Sequence, residues 1–271
     1  MSPLDERTNP KTGSSPLGHQ KALHPQPLPV LLTLLLLTLA GTVGAQDNSV
    51  WRVWEGEKRM IVVTTPEWTA VQGTLTRYER RGPKWVKVRE PIPVVVGRAG
   101  LGWDPALTRQ SPDRYRGPVK HEGDGRSPAG VFPLKAGTFG FATALPGSRI
   151  YTPLTPTIEC VDDPASRYYG KMVDRAAVDQ DWKSSEKMSL IAQYRWGVIV
   201  NYNMAPPVPG DGSCVFLHEW SGPANGTTGC TAMSPKDIVD LVRWVNGDVQ
   251  AVLVELPKPE YLRLRTHWEL P

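Results

Sequence analysis

The chain has 271 residues with Lys and Arg in slight excess, for a net charge of +4. That length fits one large domain or two small ones, with ample apolar residues for a core. The basic residues are scattered, with no run longer than Arg80-Arg81, which argues against a nucleic-acid-binding stripe.

Residues 28–45 read LPVLLTLLLLTLAGTVGA. The apolar stretch 30–40 is shorter than the roughly 20 residues a transmembrane helix needs. It ends in Val43-Gly44-Ala45, small residues suited to cleavage before Gln46, and Lys11 and Lys21 precede it. Residues 1–45 therefore read as a secretory signal peptide with a long, Pro-rich leader, either cleaved or kept as an anchor. The expected destination is the periplasm or cell envelope. The expected layout is a folded domain over 46–256 and a C-terminal tail over 257–271.

From about residue 50 the chain is rich in Val, Thr and Trp with frequent Gly and Pro, a composition of short strands and turns. Residues 60–64 predict a buried strand. Residues 73–80 and 85–88 flank Arg81-Gly82-Pro83-Lys84 and predict a hairpin. Residues 92–96 predict another strand, near an edge or with Pro93 at its start. Residues 97–103 and 120–132 are Gly-rich. The first lacks the dinucleotide-binding order of glycines, and Trp103-Asp104-Pro105 stands where its helix should open. The second lacks the Gly-Lys-Ser/Thr of a phosphate loop.

Residues 196–202 and 214–218 predict two buried strands, the second delivering His218 at its end. Ser234-Pro235-Lys236-Asp237 reads as a helix start, with Ser as cap and an acid three residues on. Ile238, Val239, Leu241, Val242 and Val245 form the apolar face, and Gly247 is a stop. Residues 249–255 predict a closing strand. The fold class is mostly β, with one clear helix near the C-terminus.

Three cysteines remain: Cys160, Cys214 and Cys230. An odd count in an exported chain means a pair plus one free thiol, or three free thiols. Cys230 lies in a Thr-Thr-Gly-Cys turn just before the helix, twelve residues after His218. A nearby His can take a thiol proton, and the Gly229 and Cys230 amides can face developing negative charge. The Glu219 carbonyl can fix the imidazole tautomer. Twelve-residue spacing alone equally suits a turn that holds a buried Cys and a strand-end His. A zinc site through His218, Cys230 and Cys214 or His121 lacks paired ligands at close spacing, so no metal or cofactor is expected. Asn225-Gly226-Thr227 also matches a glycosylation sequon.

Four stretches together resemble the L,D-transpeptidase catalytic-domain family of exported bacterial peptidoglycan-modifying cysteine enzymes. The family signature is a His, a spacer, then Ser/Thr-His-Gly-Cys. His218, Thr227, Gly229 and Cys230 fill its His, Ser/Thr, Gly and Cys places. Gly-Asp-Gly-Arg-Ser-Pro-Ala-Gly at 123–130 is similar to the family's upstream loop. Gly-Ser-Cys-Val-Phe-Leu-His at 212–218 and Cys-Val-Asp-Asp-Pro at 160–164 resemble one exported branch. The likeness runs from about Val50 to Leu256. Thr228 replaces the family's second His, Ala232 stands where Arg or Asn is common, and the spacer is short.

The resemblance implies a β-sandwich with a short helix after the catalytic Cys turn. It implies that His218 takes the proton while Cys230 attacks a stem-peptide carbonyl, with Gly229 helping to hold the oxyanion. D-Ala leaves, and an amine from another stem, a protein or a D-amino acid resolves the thioester. Water as acceptor makes the enzyme a carboxypeptidase or endopeptidase. A silent wall-binding module is the rival from another class. Thr227, Thr228, Asp162, Asp163 and Arg126 are candidate substrate contacts, with Lys120, His121, Glu122 and Glu159 beside them. Within the same comparison, pairing Cys160 with Cys214 leaves Cys230 free. Trp220 is a candidate shield for the thioester. Nothing signals an oligomer.

Overall fold

The computed structural model describes residues 56–141, 150–245 and 250–271. The leader 1–45 and Gly247 lie outside the described residues. The strands in chain order are β1 (Arg59–Thr65), β2 (Gln72–Arg81), β3 (Lys84–Lys87), β4 (Ile92–Val95) and β5 (Leu101–Trp103). Helix α1 (Pro105–Gln110) follows, then β6 (Ser127–Pro133), β7 (Thr138–Gly140), β8 (Tyr151–Pro153), β9 (Ile158–Val161), β10 (Met172–Asp174) and β11 (Ser185–Lys187). Two 3-10 turns, Met188–Leu190 and Ala192–Arg195, lead into β12 (Trp196–Ile199) and β13 (Phe216–Glu219). The chain ends with β14 (Thr231–Met233), α2 (Pro235–Val245), β15 (Ala251–Pro257) and α3 (Lys258–Leu264).

The protein is mostly β, with a large mixed sheet and few helices, as the sequence led us to expect. The sheet runs β5-β6-β15-β1-β2-β4-β14-β13-β12-β7-β8, with β3 attached to β2. Side chains from β1 and from β12, far apart along that path, share one apolar cluster, so the sheet curls around its core. A separate sheet, β10-β9-β11, stands beside it.

The hairpin forms as expected, with Arg81 opposite Lys84 across the tight turn. Strand β4 lies between β2 and β14 rather than at an edge. Pro93 is tolerated because it is the second residue of its strand, and β14 meets β4 only at Val95. The expectation that no helix opens at Trp103-Asp104-Pro105 is corrected. Asp104 caps α1 by accepting the Ala106 amide at 2.9 Å, and Pro105 takes the first turn, where its missing N–H costs nothing. The helix is only six residues long, and the glycine order still excludes a dinucleotide fingerprint.

Helix α2 starts as its sequence dictates. The Asp237 amide donates to Ser234 Oγ, whose hydroxyl donates back to the Asp237 carboxylate at 2.6 Å. Its apolar face buries Ile238, Leu241, Val242 and Val245. The last residues are built into the same core through Tyr261, Leu264, Trp268 and Leu270.

Glu255 lies on β15, fully buried, with Oε1 accepting from Thr231 Oγ1 at 2.6 Å and Oε2 unpaired. Burial pushes its carboxyl up to about 8, against an ordinary value of 4.5. A raised acid is protonated in the folded state. Its contribution is fully present below about pH 4.5 and is lost as pH rises through about 8. Glu255→Gln is expected to be more stable than the parent at pH 8, by a few kcal/mol at most. Urea denaturation at several pH values checks this: equal pH slopes in the two proteins would contradict it.

Candidate active site

Cys230 ends a turn that opens β14, and β13 runs parallel to β14 with Leu217 opposite Thr231. The turn is shaped by Thr227, whose Oγ1 accepts the Gly229 amide at 3.1 Å and donates to the Cys230 carbonyl. That carbonyl also accepts from Ser127 Oγ at 2.8 Å, which pins the turn to β6. Gly229 is needed for space and for backbone. Its φ is +156°, and a Cβ there would sit 3.2 Å from the Arg126 carbonyl and 3.7 Å from Lys120 Nζ. The Gly229 amide is thus already engaged by Thr227.

The thiol of Cys230 is the free one, because Cys160 and Cys214 form a disulfide. It is buried in a small apolar cluster with Phe139, Met188, Tyr194, Ile199 and Phe216. The Phe216 amide donates to Sγ at 3.3 Å, and Sγ lies 3.5 Å from the Cys214 carbonyl. Tyr194 packs in the same buried cluster as the sulfur. Burial pushes the thiol far above its ordinary range, and the Glu186 charge adds to this. The Phe216 amide, Tyr194 and the Lys120 charge pull the other way. The resting nucleophile is a protonated thiol.

His218 sits on β13, 7% exposed, two residues beyond Phe216 on the same face. Its Nδ1 donates to the Glu219 carbonyl at 2.7 Å, which leaves Nε2 as a lone-pair acceptor. Burial pulls the imidazole down to about 4, so it is neutral at physiological pH. Tyr194 packs edge-on against it, with ring centroids 5.1 Å apart. The structure brings His218 and Cys230 to one face of adjacent strands, yet no hydrogen bond joins them among the described residues. Tyr194 touches both.

The Tyr194 hydroxyl donates to Glu186 Oε2 at 2.6 Å. Glu186 is on β11, opposite Cys160 of β9. The disulfide therefore ties the sheet that carries Glu186 to the segment that leads into β13. Burial first, then the charges of Asp162 and Glu122, push the Glu186 carboxyl up to about 7. Neither Glu186 nor Tyr194 was legible as a site residue in the sequence. Only the disulfide placement of Cys160 beside Cys214 hints that residues near 160 meet the nucleophile.

The other residues fall into two groups. Lys120, 3% exposed, pairs with Asp124 at 2.9 Å and sends its charge toward the thiol. Thr228 is exposed on the turn. Asp162 keeps a buried oxygen without a hydrogen bond and faces Glu186 electrostatically. The remaining polar groups are occupied by the fold. Arg126 Nη1 donates to the Ala99 and Leu101 carbonyls at 2.7 and 2.9 Å. Asp163 accepts the Ala165 and Lys183 amides, and Glu159 accepts from Trp182 and Ser185 and pairs with Arg175. Glu122 accepts from Tyr169 and Ser213. A cavity of about 290 Å³ adjoins the thiol's cluster, lined by Met172, Met204, Phe216 and both disulfide cysteines.

A buried, unpaired thiol beside a tautomer-fixed histidine is equipped for covalent acyl transfer. Among the described residues no helix is long and apolar enough to cross a membrane. Comparisons with curated proteins and with solved structures gave no match. The family profile for the L,D-transpeptidase catalytic domain, YkuD, matches residues 55–254, which include the disulfide, His218 and Cys230. The chain therefore belongs to the YkuD family of L,D-transpeptidase catalytic domains.

Proposed function

We propose that this protein is an exported L,D-transpeptidase that joins peptidoglycan stem peptides through a thioester on Cys230. Family membership supports cysteine-dependent acyl transfer on stem peptides in general. The observation that carries the reading to particular residues is the division of the cysteines. Two are locked in a disulfide, and the third stands in the Gly-Cys turn beside a neutral His218.

In this reading Cys230 attacks the carbonyl that precedes the terminal D-Ala of a stem peptide. Nε2 of His218 takes the thiol proton as the sulfur–carbon bond forms and gives it to the departing nitrogen as the carbon–nitrogen bond breaks, so that D-Ala leaves as an amine. The second half delivers an amine to the thioester. Nε2 of His218 accepts the proton that this amine loses, and the imidazolium returns it to the sulfur as the thiol reforms. A second stem, a protein amine or a D-amino acid each fits as acceptor, and water in that place yields a carboxypeptidase or endopeptidase. Thr228 and Asp162 remain candidates for substrate contact, being exposed on the turn and short of partners respectively.

The test is intact-mass analysis of the mature protein with purified disaccharide-tetrapeptide, with and without a second stem as amine donor. An acyl adduct on Cys230 followed by cross-linked product is expected. Tripeptide alone would move the assignment to hydrolysis, and no adduct on a reduced thiol would overturn acyl transfer. His218→Asn is expected to lower turnover about 10²- to 10⁴-fold, the usual worth of a positioned base. Turnover within a factor of about three of the parent would remove His218 from the mechanism.

A further inference from the structure

A cavity of about 590 Å³ beside α2 is lined by Arg77, Arg89, Arg243 and Trp244, none of which belongs to the thiol's surroundings. We propose that it is a phosphate-binding site, in which the three guanidiniums hold the phosphate group of an organic ester. The proposal is independent of the acyl-transfer reading.

Arg77 carries it. On β2 it stands opposite Ile61 of β1 and two residues beyond Leu75, both fully buried, so the strand's alternation turns position 77 toward the interior. An apolar side chain is the ordinary occupant of such a place. The arginine there is 6% exposed and lines the cavity. Among the described residues its guanidinium makes no hydrogen bond and no ion pair. Its Cζ lies 6.0 Å from the Trp244 ring centroid, at the edge of cation–π range, and Arg59 is nearer that ring at 5.3 Å. A ring face satisfies none of its in-plane N–H donors. Glu79, the next residue on the same face of β2, is already taken by Arg59 and by Trp244 Nε1. A buried guanidinium with unpaired donors is costly, and an anion in the cavity relieves that cost.

The charges around Arg77 leave room for such an anion. Each acid that lines the cavity has a partner of its own. Asp240 pairs with Lys236 at 3.1 Å, Glu90 pairs with Lys87 at 3.3 Å, and Asp237 accepts the Ser234 hydroxyl at 2.6 Å. Asp237 and Asp240 act on Arg77, and Asp240 on Arg243, only at longer range. Arg89 and Arg243 are exposed, with no acid within ion-pair distance among the described residues. Burial and then the Arg89 charge hold the Arg77 guanidinium below its ordinary value, as for a cation without its counter-ion.

The geometry of the donors selects the ligand. A guanidinium is a planar fork that grips two oxygens at once, and one fork fills a carboxylate. Here the forks come from β2, from the segment between β3 and β4, and from α2. Donors from three elements suit a tetrahedral group with oxygens on several sides. The volume admits a small organic body attached to that group. A soluble phosphate ester and a phospholipid headgroup both present this chemistry.

The experiment is calorimetric titration of the protein with glycerol 3-phosphate, inorganic phosphate and succinate at about 0.15 M salt, where exposed charges are largely screened. Sedimentation with phosphatidylglycerol vesicles, and with phosphatidylcholine vesicles as the neutral control, distinguishes the two sources. The proteins are the parent, Arg77→Met, Arg89→Ala and Arg243→Ala. The last two change exposed side chains, so they carry the test if Arg77→Met does not fold. The expected result is binding of glycerol 3-phosphate at one site, with affinity about 10-fold lower or worse in each variant. Succinate is expected to bind at least about 10-fold more weakly than glycerol 3-phosphate. Vesicle binding that glycerol 3-phosphate competes away and the variants lose would assign a headgroup, and its absence beside tight glycerol 3-phosphate binding would assign a soluble ester. Acylation of Cys230 is expected to be the same in parent and variants, so a failure of acyl transfer and a failure of this site are read separately. No binding of any phosphate compound by the folded parent would overturn the site. So would succinate binding as tight as glycerol 3-phosphate, or parent-like phosphate affinity in the folded variants.

Discussion

Cys230→Ala is expected to abolish acyl-adduct formation and to lower stem-peptide turnover by about 10⁴-fold or more. The reason is covalent. The other two sulfurs are committed to the Cys160–Cys214 disulfide, so no second thiol stands near the turn. The fold is expected to survive. Loss of one small buried sulfur costs about 1 kcal/mol, which is a few degrees in Tm for a domain of this size. The turn is held by Ser127 and Thr227 through the Cys230 carbonyl, which alanine keeps. A folded, adduct-free variant that still binds disaccharide-tetrapeptide would separate binding from chemistry. Turnover that persists in the variant would mean that the thiol is not the nucleophile, whereas a parent that binds the stem with neither adduct nor turnover would favour a module whose function is to hold the wall.

The double substitution Cys160→Ala/Cys214→Ala is expected to damage both stability and activity. The disulfide closes a loop between residues 54 apart. Loop-closure entropy for that length gives about 4 kcal/mol, in a model-dependent estimate. For a domain of this size that is a fall in Tm of about 10 °C. Activity is expected to fall further than stability alone explains at temperatures where the variant is still folded. Cys160 lies directly across the ladder from Glu186, and the Cys214 carbonyl is 3.5 Å from the Cys230 sulfur. Releasing the bridge therefore loosens two walls of the thiol's pocket at once. Thermal denaturation together with acylation rates well below the variant's Tm checks both parts. A variant with parent-like acylation would show that the small sheet is not needed to position the site.

The cavity at the turn of α2, about 590 Å³ and lined by Arg77, Arg89, Arg243 and Trp244, lies apart from this chemistry. Arg77 is nearly buried there and stacks toward Trp244, while Asp237 and Asp240 offset its charge at longer range. It lies beside α2, whose apolar face packs instead on β12, β13 and β14.

Much of the fold was legible because the relevant forces are local. Alternation and turn chemistry marked the β2–β3 hairpin, where Gly82 and Pro83 sit between two half-buried strands. Ser234, Pro235 and Asp237 marked the start of α2, because a cap satisfies amides only three residues away. The start of α1 was missed although Asp104 and Pro105 are themselves a cap and a first-turn proline. A six-residue helix has too short an apolar pattern to be seen. The acids of the 159–163 stretch looked like a substrate-facing cluster. Their carboxylates instead mostly turn inward to amides and to Trp182, Ser185 and Arg175, which sequence spacing does not reveal.

The sequence by itself determined the nucleophile candidate, its histidine and the family, since these rest on residue identities inside short motifs. The Gly before Cys230 is part of that motif, and the structure supplies its reason: a φ of +156° and a tight 3.2 Å approach of any Cβ to the Arg126 carbonyl. The tertiary structure alone decided what surrounds the sulfur. Glu186 and Tyr194 are 44 and 36 residues from Cys230 in the chain, on elements brought to it by β9, the disulfide and the 3-10 turn before β12. Their charge and hydrogen bonds act through a few ångströms of buried space. The chain's own order carries no trace of that proximity.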